Sequence, residues 1–198
     1  MYSGNEKFLL IGHSFGSLLA LKLTSILESK EKSGNIVVID GSPKFVSEVV
    51  HQLLPTDCSD EHIQGLILSS CVKILFPESI QEISKKIFSH SLLDERFETF
   101  LQIASTRSEY SIDYGRKMIE GLIKRLKIIL NVDNIKFSTL KKSPMIFIKA
   151  SESSLSGIDD DYGLKKYVEG DIKINVVNGN HVSVLTSAEL IDILNSIF

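Results

Sequence analysis

The sequence predicts an α/β fold in which a parallel sheet is flanked by helices. The first observation is a strand, a helix and a second strand in succession within residues 8–39, which is the βαβ unit of parallel sheets. The second is the return of β-branched runs at residues 144–148 and 172–177. The third is composition, since 43% of the 198 residues are apolar and can fill the core of one domain.

The first βαβ unit starts with a continuous apolar run at Phe8–Ile11, typical of a strand buried on both faces of a parallel sheet. After the glycine-containing segment Gly12–Gly16, leucines and isoleucines over residues 18–27 give a helix a broad apolar face. The second strand, Asn35–Ile39, ends at the polar segment Asp40–Pro43. Asp40 is therefore predicted to lie at the carboxyl end of a strand.

The middle of the chain is predicted to be a helical insertion at residues 44–142, because apolar residues recur there at helical spacing. Pro55 and Pro77 are predicted breaks between its helices. The α/β core is accordingly predicted to consist of residues 1–43 and 143–198.

The C-terminal part supplies two more predicted strands, Pro144–Ile148 and Ile172–Val177. Thr186 and Glu189 have the spacing of a capping box and predict the start of a last helix. The apolar face of that helix consists of Leu190, Ile191, Leu194 and Ile197.

Charge and cysteine content exclude several classes of function. A formal net charge of −3 and a pI near 6.0 lack the basic excess on which nucleic-acid binding relies. Cys58 and Cys71 have neither disulfide-framework nor zinc-site spacing, so no metal is expected. No apolar run approaches the roughly 20 residues that span a bilayer, and the N-terminus lacks a basic signal-peptide segment. We expect a cytoplasmic protein without a membrane span.

Gly12-His13-Ser14-Phe15-Gly16 matches G-x-S-x-G, the nucleophile elbow, in which a strained turn presents a serine above a sheet. Both glycines are predicted to leave space where a Cβ atom would clash. The predicted strand before the motif and the helix after it are the context that the motif requires. The alternative is a turn that packs tightly or binds a phosphate, although a phosphate loop would carry more glycines and a lysine.

A serine hydroxyl needs a base, and five histidines compete for that role. His13 lies inside the motif, where we predict that its side chain points away from Ser14. Three others, His51, His62 and His90, fall in the helical insertion. His181 follows the last predicted strand, at the sheet edge where ligands bind in open α/β folds, and is the predicted base. The alternative is a solvated loop histidine.

The third member of a triad is a carboxylate that orients the imidazole. Asp40 is favoured, and the order Ser14, Asp40, His181 is that of the α/β-hydrolases. Glu152 is a rival acid, whereas Asp159–Asp161 is interpreted as a solvated turn. The alternative for Asp40 is a strand-end cap.

These residues resemble the thioesterase domain at the C-terminus of animal fatty acid synthase, a member of the α/β-hydrolase superfamily. The similarity covers nearly the whole chain, in the family's order and with comparable spacing. The matching segments are Gly12–Gly16, Asp40–Pro43, Asp161–Leu164 and Gly179–His181. The resemblance implies an α/β-hydrolase fold with a partial parallel sheet flanked by helices, in which the helical insertion, or lid subdomain, at residues 44–142 forms the acyl groove.

The resemblance also implies a reaction. Ser14 would be acylated by a long-chain fatty acyl thioester of coenzyme A or of the phosphopantetheine on acyl carrier protein, with His181 as base and Asp40 as its orienting acid. Water would then release the free fatty acid, as a step of fatty acid biosynthesis. No further cofactor is implied.

Three aromatic residues receive roles from the resemblance. The amide of Phe15 would be one oxyanion donor, and Phe45 and Tyr162 match aromatic residues of the acyl groove. For Phe45 and Tyr162, core packing is an equal alternative.

Family members carry several strands before the elbow, including the loop that supplies the second oxyanion amide. Only thirteen residues precede Ser14 here, so we expect a domain truncated at its N-terminus. Losing one oxyanion donor costs on the order of 3 kcal/mol. One alternative function is therefore a weak or inactive remnant that binds acyl chains or a partner protein. A second alternative is another serine hydrolase, an esterase or lipase.

Overall fold

A computed structural model of the chain describes residues 7–54, 58–107, 111–152, 155 and 157–197. The chain divides into two compact units. The first comprises Met1–Gln52 with Asn131–Phe198, and the second comprises Leu53–Leu130.

The first unit contains a four-stranded sheet in which every pair of neighbours is parallel. Its strands, in spatial order, are β1 Phe8–His13, β2 Gly34–Ile39, β3 Met145–Glu152 and β4 Ile172–Asn180. Each of the four strands predicted from the sequence is present, and the predicted α/β fold class is confirmed.

The helices of the described residues alternate with the strands and then cluster in the second unit. They are α1 Gly16–Ser29, α2 Pro43–Leu53, α3 Asp60–Leu75, α4 Ile80–Phe88, α5 Leu93–Arg107, α6 Ile112–Leu130 and α7 Ala188–Asn195. The predicted break at Pro77 is confirmed, because a short 3-10 turn at Pro77–Ser79 separates α3 from α4. Pro55 lies outside the described residues.

The register of the sheet aligns the carboxyl ends of its strands. His13 at the end of β1 pairs with Ile39 at the end of β2, and Ile39 pairs with Ile148 of β3. Residues that directly follow β1 and β2 therefore meet at one edge of the sheet.

The prediction that β1 is buried on both faces is wrong. Ile11 is 47% exposed, and in the described residues β1 pairs with β2 alone. By contrast, β2 lies between two neighbours, and Ile36 and Val38 are fully buried. Both strands carry continuous apolar runs, so their burial depends on position in the sheet and not on local sequence.

The core of the first unit lies on both faces of the sheet. On one face, β2 and β3 pack with the last helix α7 in a cluster of Val37, Ile39, Ile148, Ala150, Val177, Val184 and Leu190. Helix α1 contacts β1 and β2 and buries Leu18 and Leu21.

The capping box predicted at Thr186 and Glu189 is wrong. Helix α7 begins at Ala188, and its N-cap residue Ser187 makes no side-chain capping bond. The Glu189 carboxylate instead accepts the amide of Asn178 in β4 (3.1 Å), and the Thr186 hydroxyl donates to the carbonyl of Ser183. Both side chains are therefore hydrogen-bonded to backbone groups outside α7 and do not cap the helix.

The second unit is helical. Ser59 caps α3, because its hydroxyl accepts the amide of His62. Its fully buried side chains include Leu68, Ile87, Phe100, Leu101 and Ile119. In the described residues no single helix is long and apolar enough to cross a membrane; only Asp60–Leu75 and Pro77–Phe88 taken together pass on length and composition, and they are bent by 111°.

Candidate active site

Ser14 occupies a sharp turn between β1 and α1. Its φ of 54° lies in the left-handed region, which is costly for a residue with a Cβ atom. Its amide donates to the carbonyl of Ile39 (3.0 Å), and its carbonyl accepts both the amide (3.0 Å) and the hydroxyl of Ser17. The surrounding hydrogen bonds thus hold the strained strand-to-helix turn that G-x-S-x-G predicts.

Glycines make room for this turn, but not as the sequence predicts. A Cβ atom on Gly12 would lie 2.5 Å from the carbonyl oxygen of Gly16. A Cβ atom on Gly16 would meet nothing within 4 Å, so the expected clash there is wrong. Gly41 is instead the second close approach, since its Cβ would lie 2.6 Å from the carbonyl oxygen of Ser14.

Asp40 directly follows β2 and is completely buried. Its Oδ1 accepts the amide of Ala150 (3.0 Å) and the hydroxyl of Tyr162 (3.0 Å). Its Oδ2 lies 2.7 Å from Nδ1 of His181. Both oxygens of the buried carboxylate are therefore hydrogen-bonded.

These contacts set the charge of Asp40. Burial on its own would raise the pKa of the carboxyl, but the hydrogen bonds from His181, Ala150 and Tyr162 outweigh it and hold the pKa below its ordinary value. An ionised carboxylate only accepts, so Nδ1 of His181 carries a proton. In neutral His181 this leaves Nε2 unprotonated and able to act as a base.

His181 lies on a short loop after β4 that is shaped by its own hydrogen bonds. The Asn180 side-chain oxygen accepts the amides of Val182 (3.0 Å) and Ser183 (2.9 Å). The amide of Asn180 in turn donates to the hydroxyl of Ser183 (2.9 Å), and Gly179 takes a φ of 122° to enter the loop.

The side chain of His13 lies beside His181, and its predicted direction away from Ser14 stays a prediction. Its ring centroid lies 4.6 Å from that of His181, and its Nε2 lies 2.9 Å from the carbonyl oxygen of His181. Burial lowers the pKa of His13, opposed by its hydrogen bond to the His181 carbonyl and reinforced by repulsion from the His181 ring.

Phe45 packs against Tyr162, whose hydroxyl binds Asp40. Their rings stack with centroids 4.6 Å apart, and the Phe45 ring lies 5.7 Å from that of His181. Ser42 joins their backbones, because its hydroxyl accepts the amide of Phe45 and donates to the carbonyl of Tyr162. Phe45 is 2% exposed and Tyr162 is fully buried, so both pack in the core. A contact of either residue with an acyl chain stays a prediction.

The structure brings Asp40 and His181 into direct contact and places Ser14 at the same edge of the sheet. In the described residues no hydrogen bond joins the Ser14 hydroxyl to the His181 ring. Phe15 is the N-cap residue of α1, so its amide lies at the N-terminus of that helix. That position suits the predicted oxyanion donor.

The rival acids lie elsewhere. Glu152 is exposed at the end of β3. Asp159 and Asp160 form exposed ion pairs with Lys44 (2.8 Å) and Lys149 (2.9 Å), respectively. Asp161 accepts the amides of residues 163 and 165 and so caps the following turn. Within the described ranges, no cluster of three or more histidine, cysteine or acidic side chains could hold a metal ion.

No protein-family model matches the chain, and no curated protein matches its sequence. Solved structures do match in fold. A region of the holo four-domain nonribosomal peptide synthetase AB3403, bound to AMP and glycine, superposes on 98% of this chain with a TM-score of 0.67 and 14% identity. Human thioesterase 2 superposes on 97% with a TM-score of 0.53 and 14% identity. The RedJ thioesterase of the prodiginine pathway in Streptomyces coelicolor superposes on 98% with a TM-score of 0.58 and 15% identity.

The matched region spans 14% of the synthetase, 71% of human thioesterase 2 and 61% of RedJ. These similarities show the fold alone, which this chain shares with solved structures that include thioesterases.

Proposed function

We propose that the chain is a serine hydrolase that cleaves long-chain fatty acyl thioesters of acyl carrier protein or coenzyme A. The observation that carries the proposal is the 2.7 Å contact between Asp40 Oδ2 and His181 Nδ1. It forms at the sheet edge where Ser14 occupies its strained turn, so a candidate nucleophile, base and orienting acid lie at one edge of the sheet.

In the proposed reaction the Ser14 hydroxyl attacks the thioester carbonyl, and Nε2 of His181 takes the hydroxyl proton. The Asp40 carboxylate stabilises the resulting imidazolium, and the Phe15 amide donates to the oxyanion. The tetrahedral intermediate collapses to an acyl-serine ester, and the thiolate leaves with the proton from His181. Nε2 of His181 then takes a proton from water as the water oxygen attacks the ester carbonyl. The bond to Ser14 breaks, His181 returns the proton to the Ser14 oxygen, and free fatty acid leaves.

The choice of thioester over oxygen ester has two supports. The solved relatives include proteins named as thioesterases, and the sequence resembles the thioesterase domain of animal fatty acid synthase. The fatty acyl group and a place in fatty acid biosynthesis rest on that resemblance alone, whereas the cytoplasmic location is the expectation from the sequence. The phosphopantetheine arm would belong to the substrate.

Intact-mass spectrometry after exposure to a fluorophosphonate tests the activated serine. We expect a single adduct on the wild-type chain, lost in Ser14→Ala and in His181→Ala. Ser29→Ala is the control, because Ser29 is an exposed serine at the end of α1. An adduct that persists in Ser14→Ala would contradict the proposal.

Hydrolysis of a long-chain acyl-coenzyme A and of the matching p-nitrophenyl ester tests the substrate class. We expect turnover of the thioester at the higher kcat/KM. Higher kcat/KM for the oxygen ester would favour an esterase or lipase. Binding of acyl-coenzyme A by calorimetry, without turnover in a folded sample, would favour the non-catalytic alternative.

A further inference from the structure

The side chain of His13 reaches the backbone of His181 across 168 positions of sequence. The carbonyl of His181 can only accept a hydrogen bond, so Nε2 of His13 must carry the proton in this 2.9 Å contact. In neutral His13 the other nitrogen, Nδ1, is then unprotonated.

The other hydrogen bonds around His181 orient its ring or shape its loop, and do not attach the loop to β1. Asp40 binds the imidazole and fixes its tautomer. The bonds between Asn180 and residues 182 and 183 join the end of β4 to the loop that follows it, so they shape the loop without attaching it to β1. The bond from His13 attaches the backbone of the loop to the end of β1.

His13 is also the chain neighbour of Ser14. A hydrogen bond from His13 to the backbone of His181 therefore joins the segment that carries the proposed nucleophile to the residue that carries the proposed base. We propose that His13 is a positioning residue that sets the spacing between Ser14 and His181 by donating from Nε2 to the His181 carbonyl. This inference rests on the proposed function of Ser14 and His181.

The ring contact adds a requirement on charge. The two imidazoles lie 4.6 Å apart and are tilted by 33°, so two imidazolium rings would repel each other. During the proposed reaction His181 becomes an imidazolium, and the Asp40 carboxylate accepts a hydrogen bond from its Nδ1. His13 must therefore stay neutral while His181 gains and loses its proton, and its partly buried position favours the neutral form.

Two variants separate the hydrogen bond from the packing. His13→Phe keeps an aromatic ring beside His181 but removes the donor, whereas the side-chain amide of His13→Gln can still donate. We expect His13→Phe to slow fluorophosphonate labelling and to lower kcat by about tenfold, as for the loss of one hydrogen bond, with KM unchanged. We expect His13→Gln to stay within about threefold of wild type.

The control is His51→Phe, a matched change at an exposed histidine of α2, which we expect to leave the labelling rate unchanged. Equal losses in His13→Phe and His13→Gln, or no loss in His13→Phe, would overturn the inference.

Nitrogen-15 NMR of the imidazole groups tests the same inference without activity, and on the wild-type chain. At pH 8 we expect His13 to carry its proton on Nε2 and His181 to carry its proton on Nδ1. A proton on Nδ1 of His13 would overturn the role of His13 whatever the labelling shows. If NMR finds the expected tautomers but no fluorophosphonate labels the chain, the His13 contact is supported and the proposed function is contradicted.

Discussion

Asp40 concentrates three hydrogen bonds on one buried carboxylate, and each comes from a different part of the chain. Ala150 contributes a backbone amide from β3, Tyr162 a phenol and His181 an imidazole. The arrangement fixes the ionised state of the acid and thereby the tautomer of His181.

Asp40→Asn tests the tautomer directly. The amide keeps the shape of the carboxylate, but its NH₂ group can face His181 and favour a proton on Nε2. We expect kcat to fall by about 10⁴-fold with little change in KM, because a base that is already protonated cannot take the serine proton. Asp192→Asn, an exposed change on α7, is the control. A loss below about tenfold would show that the contact does not set the tautomer.

Tyr162→Phe removes one of the three donors and keeps the ring stacked on Phe45. We expect the free energy of unfolding to fall by about 2 kcal/mol, as for a hydrogen bond to a charged group, and the pKa of Asp40 to rise. Urea unfolding at pH 7 measures the first effect. A free energy within about 0.5 kcal/mol of wild type would show that the phenol contributes no net stability.

The lowered pKa of Asp40 also predicts a pH dependence of stability. The unfolded chain protonates Asp40 near its ordinary value of 3.8, above the pKa in the folded chain. Its contribution is therefore fully present above about pH 5 and is lost as the pH falls through 3.8 towards the folded pKa. Urea unfolding between pH 2.5 and 7 should show a shallower loss of stability in Asp40→Asn than in wild type. Parallel curves would contradict this linkage.

We predict that the turn between β1 and α1 tolerates replacement of Gly16 but not of Gly12. Gly12→Ala places a Cβ against the backbone of Gly16, so we expect a loss of about 1–3 kcal/mol of stability and of most fluorophosphonate labelling. Gly16→Ala meets open space at the first residue of α1, so we expect unchanged or slightly higher stability. Thermal unfolding with labelling compares the pair. Equal damage from both changes would show that the close approach at Gly12 is not the cause.

The four strands could be predicted because each carries a dense run of β-branched or other apolar residues. The exposed position of β1 could not be predicted, because a strand's place in a sheet depends on which other strands pair with it. The predicted capping box at residues 186–189 is absent for a similar reason, because the amide of Asn178 in β4, 11 positions earlier in the chain, donates to the Glu189 carboxylate.

The candidate site divides in the same way. Asp40 and His181 were predictable because both follow strands whose ends had to meet. The direction of His13 and the close approach of Gly41 to Ser14 arise only when β1, β2 and the loop after β4 are assembled, and no local pattern encodes them. Tyr162 was singled out by resemblance, and its hydrogen bond to Asp40 became visible only in the structure.

On the scale of the whole molecule, the helical residues concentrate in the unit Leu53–Leu130, and the residues of the candidate site all belong to the other unit. The change from β-branched runs to helical spacing along the sequence predicted such a helical segment. Whether that unit forms an acyl groove stays a prediction.

The contact between His13 and His181 has a consequence for biosynthesis on the ribosome. His13 is synthesised 168 positions before His181, so the segment that carries Ser14 leaves the ribosome long before the proposed base. Until His181 has left the ribosome, Ser14 therefore has no proposed base, and we expect no reactivity towards a fluorophosphonate before that point. Labelling of stalled chains of increasing length would time the moment at which the first unit closes.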